Sequence, residues 1–113
     1  MAMIELTSLQ DAEAALEASA AQPLFILKHS TRCPISAGAY YRVLHYLEAA
    51  GAAAPPTYLV KVIESRPISN DIAARLNVKH QSPQLILVKN KTAIWHTSHN
   101  DIDAQAIKTA LEK

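Results

Sequence analysis

The stretch "LFILKHSTRCPIS", residues 24–36, joins an apolar run to a turn that holds the only cysteine among the 113 residues of the chain. The apolar run at 24–27 is too short for a helix and is typical of a buried strand. Pro34 follows Cys33 and suits the first turn of a helix, where its missing N–H is not needed. We therefore predict a strand that ends in a cysteine turn at the start of a helix.

Further helices and strands are predicted on both sides of this junction. Alanine, leucine and glutamate favour a helix over 8–20 with Thr7 or Ser8 as its cap. Apolar residues spaced three and four apart predict an amphipathic helix from Pro34 to near Gly51. The remaining predicted elements are a strand over 57–63, a helix over 70–76 capped by Ser69, strands over 85–88 and 92–97, and a helix over 102–111 capped by Asp101.

The order of these elements predicts the fold class. A β-α-β unit followed by a hairpin and a helix makes a mixed sheet covered by helices. We expect an α/β, thioredoxin-like fold with a central mixed four-stranded sheet flanked by helices. The length fits one domain, so residues 1–113 are predicted to form a single thioredoxin-like domain.

Composition and charge exclude several classes of function. Eleven basic and ten acidic residues give a formal charge of +1, which indicates neither a nucleic-acid partner nor an anionic membrane surface. No window approaches the roughly 18 apolar residues of a membrane span, and the N-terminal residues lack the basic start of a secretory signal. A single cysteine cannot form an internal disulfide. A reducing, cytoplasmic location is therefore expected.

The position of Cys33 predicts a reactive thiol. A thiol becomes a nucleophile as the thiolate, and helix N-termini and neighbouring cations favour that form. Lys28, His29 and Arg32 lie close to Cys33 in the sequence. Ser36 replaces the second cysteine of a C-x-x-C motif, so it cannot resolve a mixed disulfide, although its hydroxyl could donate to the Cys33 sulfur. The non-functional alternatives are that Cys33 is a buried structural cysteine and that Ser36 is an ordinary serine in the first turn of a helix.

Two other groups of residues are candidates for the same site. In a thioredoxin layout, Ser82-Pro83 falls where a cis-proline lies beside the cysteine and the neighbouring backbone pairs with a bound partner. His29 is the best placed of the five histidines to stabilise the thiolate or polarise a leaving thiol, and His80 is the next. Without a metal-ligand signature such as H-E-x-x-H, no metal site is predicted.

Four segments give the chain a resemblance to a known family. They are "KHSTRCPIS" at 28–36, "RPISNDIA" at 66–73, "NVKHQSPQLILVKN" at 77–90 and "WHTSHNDI" at 95–102. Together they resemble the YtxJ-type monothiol bacilliredoxins, thioredoxin-fold proteins of the bacillithiol system. Asn100 and Asp103 depart from the pattern, since an aromatic residue and a threonine are expected there.

The resemblance implies an enzyme, a monothiol thiol-disulfide oxidoreductase. It would take a bacillithiol-like, low-molecular-weight thiol from S-thiolated client proteins onto Cys33, with the small thiol as co-substrate and no tightly bound cofactor. A second small thiol or a reductase would then restore the enzyme. The residues implied as catalytic are Cys33, Ser36 and His29, and those implied as substrate-binding are Arg32, Pro34, Ile35, Ser82 and Pro83. Two alternatives remain open: an iron–sulfur cluster module like the monothiol glutaredoxins, and a thioredoxin-fold adaptor with an incidental cysteine.

Overall fold

The computed structural model describes residues 3–113, in which four helices cover a five-stranded sheet. Two single turns of 3-10 helix lie at Gly51–Ala53 and His99–Asp101. The elements are β1 (Ile4–Glu5), α1 (Leu9–Ala18), β2 (Leu24–His29), α2 (Pro34–Ala50), β3 (Thr57–Lys61), α3 (Arg66–Leu76), β4 (Gln84–Lys89), β5 (Thr92–Ser98) and α4 (Ala104–Leu111).

The sheet is mixed, and its strand order is β1-β3-β2-β4-β5. β3 runs parallel to both β1 and β2, whereas β4 is antiparallel to β2 and β5 is antiparallel to β4. This is the thioredoxin-like arrangement that the element order predicts, except that the sheet has five strands and not four. The additional strand, β1, has only two residues, both exposed, so no alternation of apolar side chains marks it in the sequence.

Two apolar clusters, one on each face of the sheet, form the core. Side chains of a strand point alternately to opposite faces, and β2 therefore contributes Leu24 and Ile26 to one cluster and Phe25 and Leu27 to the other. The first cluster is completed by residues of α1 and α3, and the second by residues of α2 and α4. The end of β2 thus lies between two helical layers, with α2 starting directly beyond it.

Helix ends agree with the sequence prediction at some positions and differ at others. Of the two predicted caps of α1, Ser8 is the one observed, with its hydroxyl accepting from the Asp11 N–H at 3.0 Å. α3 begins at Arg66, not at residue 70, because Pro67 occupies its first turn; Ser69 is therefore a buried residue inside the helix. α4 is capped by Asp103 and not by Asp101, since the Asp103 carboxylate accepts from Ala106 N–H at 2.8 Å.

Candidate active site

The junction of β2 and α2 holds Cys33 as the sequence predicts. Cys33 is the N-cap residue of α2, with extended backbone angles of φ −117° and ψ 122°, and its carbonyl accepts the Ala37 N–H at 3.0 Å. Pro34 occupies the first helical turn, and no side chain caps that end. Cys33 is partly exposed. It therefore stands at the positive end of a 17-residue helix with access to solvent.

Ser36 has different partners from the one predicted. Its side chain is completely buried, and its hydroxyl accepts the Ser30 N–H at 2.9 Å and lies 2.8 Å from Nδ1 of His29. Within residues 3–113 no hydrogen bond joins this hydroxyl to the Cys33 sulfur. The expected Ser36–Cys33 bond is thus wrong, because position 36 faces inward onto β2. Ser36 instead fixes the first turn of α2 to the strand that precedes it.

His29 is the histidine that the fold brings to this junction. Only 9% of its surface is exposed, and its ring centroid lies 5.1 Å from that of Tyr40 on α2. Burial lowers the pKa of His29, against the smaller raising effects of hydrogen bonding with Ser36 and of the Glu64 charge. The imidazole is therefore neutral at pH 7. It contributes a hydrogen-bonding group, rather than a fixed positive charge, to the surroundings of Cys33.

The turn between β2 and α2 is also tied to the segment after β3. The Thr31 hydroxyl donates to the Glu64 carboxylate at 2.8 Å, and the Val62 N–H donates to the His29 carbonyl at 3.0 Å. The Thr31 hydrogen bond is the largest cause of a lowered pKa at Glu64.

The three motif residues predicted to bind substrate, Arg32, Pro34 and Ile35, are all exposed around Cys33.

The other predicted substrate-binding residues lie at the same end of the sheet. The Ser82–Pro83 peptide bond is cis, as the thioredoxin layout suggests. Lys28 pairs with Gln84 in the antiparallel β2–β4 ladder, so Pro83, one residue before Gln84, lies at the end of β2 that leads to Cys33. The Pro83 carbonyl accepts the His99 N–H at 3.0 Å.

His80 does not lie beside His29 and Ser36. His80, the second candidate, lies on the opposite face of the sheet, where its Nδ1 is 3.2 Å from Nζ of Lys28. The reason is strand alternation: Lys28 and His29 are consecutive and face opposite sides. In the part of the chain that the structure describes, no three His, Cys, Asp or Glu side chains are grouped as metal ligands. Likewise no helix between residues 3 and 113 has the length and apolarity to cross a bilayer.

The structure also shows a residue that sequence reasoning missed as a site element. Lys28 is fully buried beneath α3, whereas the sequence suggests only a cation close to Cys33. The sequence carries one signal for this residue: Lys28 lies in a strand whose other residues are mostly apolar. A lysine in such a buried strand is unusual, and this can mark a residue with a special role. A separate cavity of about 570 Å³ between α2 and α4 is lined by Arg42, His45, Tyr46, Ala49, Ala50, Ala104 and Lys108, none of which is a predicted site residue.

The comparisons with known proteins agree with this geometry. A solved structure described as a proposed oxidoreductase with a thioredoxin fold is 34% identical, with coverage of 96% of this chain and 93% of that chain and a TM-score of 0.86. Thioredoxin O2 from Arabidopsis thaliana, in its oxidized state, is 20% identical with a TM-score of 0.74, covering 97% of this chain and 91% of that one. Mitochondrial thioredoxin 3 from Saccharomyces cerevisiae, also oxidized, is 18% identical, with 97% and 93% covered and a TM-score of 0.72.

Fold and site together define a thioredoxin-fold thiol oxidoreductase. Within that class, residues 4–107 match the family of the monothiol bacilliredoxin BrxC. The chain therefore belongs to the monothiol bacilliredoxin family. The resemblance drawn from the four sequence segments is confirmed at the level of the family and of the fold.

Proposed function

We propose that this protein removes a small, bacillithiol-like thiol from S-thiolated client proteins by thiol-disulfide exchange at Cys33. The observation that carries the proposal is the position of the only thiol of the chain, which is partly exposed at the N-cap of α2. The family name supports a bacillithiol-type co-substrate. A reducing compartment such as the cytoplasm suits such a thiol.

The reaction requires two exchanges. The Cys33 thiolate attacks the small-thiol sulfur of the client mixed disulfide; the S–S bond breaks, and the client cysteine leaves as a thiolate that takes a proton from solvent. Cys33 then carries the small thiol in a new mixed disulfide. Because Ser36 cannot supply a second thiol, an external small-thiol thiolate or a dithiol reductase attacks this adduct and releases Cys33. The small thiol is consumed as a co-substrate, and no tightly bound cofactor takes part.

The surrounding residues have proposed roles in positioning and binding. Ser36 and His29 hold the first turn of α2 against β2, and thereby orient Cys33. The exposed residues Arg32, Pro34 and Ile35 offer a surface next to the thiol, and Ser82 and Pro83 offer backbone at the same end of the sheet. A client peptide is proposed to pair with the backbone at Ser82, as in the thioredoxin layout.

The direct test is a de-thiolation assay with one client protein carrying bacillithiol, glutathione or cysteine as a mixed disulfide. We expect release of the small thiol to be fastest from the bacillithiol form, and intact-mass spectrometry to show the adduct on Cys33. Cys33→Ala should reduce the rate to the uncatalysed background while circular dichroism remains unchanged. Equal rates for the wild type and Cys33→Ala would contradict the proposal, and equal rates for all three small thiols would contradict its bacillithiol-specific part.

A further inference from the structure

A buried ammonium group lies on the face of the sheet opposite to His29. Lys28 is 0% exposed, and its Nζ donates to the Ser69 carbonyl of α3 at 3.0 Å and lies 3.2 Å from Nδ1 of His80. Among residues 3–113, no carboxylate forms an ion pair with it. Burial of a cation without an anionic partner is unfavourable, so a structural core position would be better filled by an apolar residue.

The contact with His80 connects Lys28 to the segment that leads into β4. His80 is exposed and belongs to the loop between α3 and β4, which ends at the Ser82–Pro83 peptide. Gln84, the ladder partner of Lys28, is also fully buried and donates from its side chain to the carbonyl of Lys79 at 3.0 Å. Two adjacent buried side chains thus hold two consecutive loop residues, 79 and 80, against the sheet.

The other end of the same segment is fixed from β5. The Pro83 carbonyl accepts the His99 N–H at 3.0 Å, in the turn that follows β5. Between the two fixed ends lies Ser82, whose backbone N–H and carbonyl take part in no hydrogen bond among the described residues. Free backbone groups held in a defined position are what an extended peptide needs when it adds to the edge of a structure.

We propose that Lys28 is a positioning residue for client binding, which acts through His80 to hold the segment 79–83 in the conformation that presents the backbone of Ser82 to the client. This inference rests on the proposed function, since it assigns Lys28 a role in the same exchange reaction. Lys28 does not touch the client or Cys33. Its effect is to organise the binding segment before the client arrives, which lowers the ordering cost of binding.

The first experiment separates client binding from thiol chemistry. Lys28→Met keeps an unbranched side chain of similar length and removes the donor to His80. We expect the KM for a protein client to rise about tenfold and kcat to change less than about twofold, because the loss is in binding and not in the reacting groups. The rate with cystine, a small disulfide that does not need the segment, should stay within about twofold of the wild type.

Two further variants distinguish this role from a general loss of structure. Lys89→Met removes an exposed lysine from the other end of β4 and should leave all three parameters unchanged. His80→Phe keeps a ring and removes the acceptor of the Lys28 contact, so it should raise KM like Lys28→Met. The double variant should be no worse than either single variant, since both break the same contact. Additive effects, or an equal loss of cystine reduction, would overturn the inference.

Amide hydrogen exchange tests the segment without any activity assay. We expect the His99 amide, which donates to the Pro83 carbonyl at the end of the segment, to exchange at least about fivefold faster in Lys28→Met than in the wild type, while amides of β2 keep their protection. Unchanged exchange at the His99 amide would overturn the positioning role even if the enzyme proved active. Faster exchange combined with an inactive wild-type enzyme would instead contradict the proposed function and leave the contact itself established.

Discussion

The last two residues of β2, Lys28 and His29, are neighbours in sequence and face opposite sides of the sheet. His29 is neutral at pH 7 and contacts Ser36 beneath the cysteine turn, whereas Lys28 has a pKa lowered by burial to about 8 and is mainly protonated. A neutral ring can be buried with one hydrogen bond, but an ammonium needs acceptors and still resists burial. The side chain buried beneath the cysteine turn is therefore uncharged at pH 7, whereas the side chain buried beneath α3 carries a positive charge.

The two faces also differ in how completely their buried polar atoms are paired. On the side of His29, the Ser36 hydroxyl is bonded both to a ring nitrogen and to a backbone N–H. On the side of Lys28, the side-chain oxygen of Gln84 is buried without a partner in the described structure. An unpaired buried oxygen costs about 1–3 kcal/mol. The face beneath α3 thus leaves a buried polar atom unpaired next to Lys28, and three comparisons of variants examine the difference between the two faces.

The largest effect is expected from Lys28→Met, measured as the free energy of unfolding in urea between pH 7.5 and 10.5. The folded pKa of Lys28, about 8, lies below its ordinary value of 10.5, so between these values the unfolded chain binds more protons than the folded one. Stability of the wild type therefore rises with pH across this window, by up to about 3 kcal/mol from this one group. Lys28→Met should lack that rise.

The comparison must be made as the difference between wild type and variant, because other lysines and the tyrosines titrate in the same window. Lys89→Met, which removes an exposed lysine, is the matched control and should follow the wild-type curve. If Lys28→Met also follows the wild-type curve, the ammonium does not resist burial in the way that its position indicates.

The second effect concerns two buried serines, one on each face. Ser36→Ala leaves the Ser30 N–H and the ring nitrogen of His29 without their shared partner, and should reduce the free energy of unfolding by about 2 kcal/mol. Ser69→Ala should change it by less than about 0.5 kcal/mol, because it keeps the backbone carbonyl that Lys28 bonds to and loses only the 3.5 Å contact between the Ser69 hydroxyl and Nδ1 of His80. The measurement is urea unfolding at pH 7. Equal losses for both variants would show that the faces are paired alike.

Sequence reasoning reached the features that depend on local order. The strand, the cysteine turn and the proline at the start of α2 follow one another along 24–36, and each is marked by residue types with strong local preferences. The same holds for the cap at Ser8 and for the C-terminal glycine of α2, where Gly51 has a positive φ of 55°.

The features that were missed depend on contacts between distant parts of the chain. Whether Ser36 bonds to Cys33 or to His29 depends on how α2 is rotated against β2, which no residue pattern within the helix determines. The partner of Lys28 is a carbonyl 41 residues away on α3. β1 has two exposed residues, and only its pairing with β3 makes it a strand. Tertiary packing settles each of these cases, and one sequence carries no record of it.

The smallest effect is expected at His29, because burial and hydrogen bonding act on its pKa in opposite directions. Burial is the larger cause, so the folded pKa lies below the ordinary value of 6.5, and stability from the neutral ring is present above pH 6.5 and is lost as the pH falls below it. His29→Asn offers Ser36 a similar partner that does not titrate. The difference in unfolding free energy between wild type and His29→Asn should therefore shift against the wild type between pH 7 and 5. A constant difference, together with an NMR titration of the His29 ring at its ordinary pH, would mean that this face admits charge as readily as the other one.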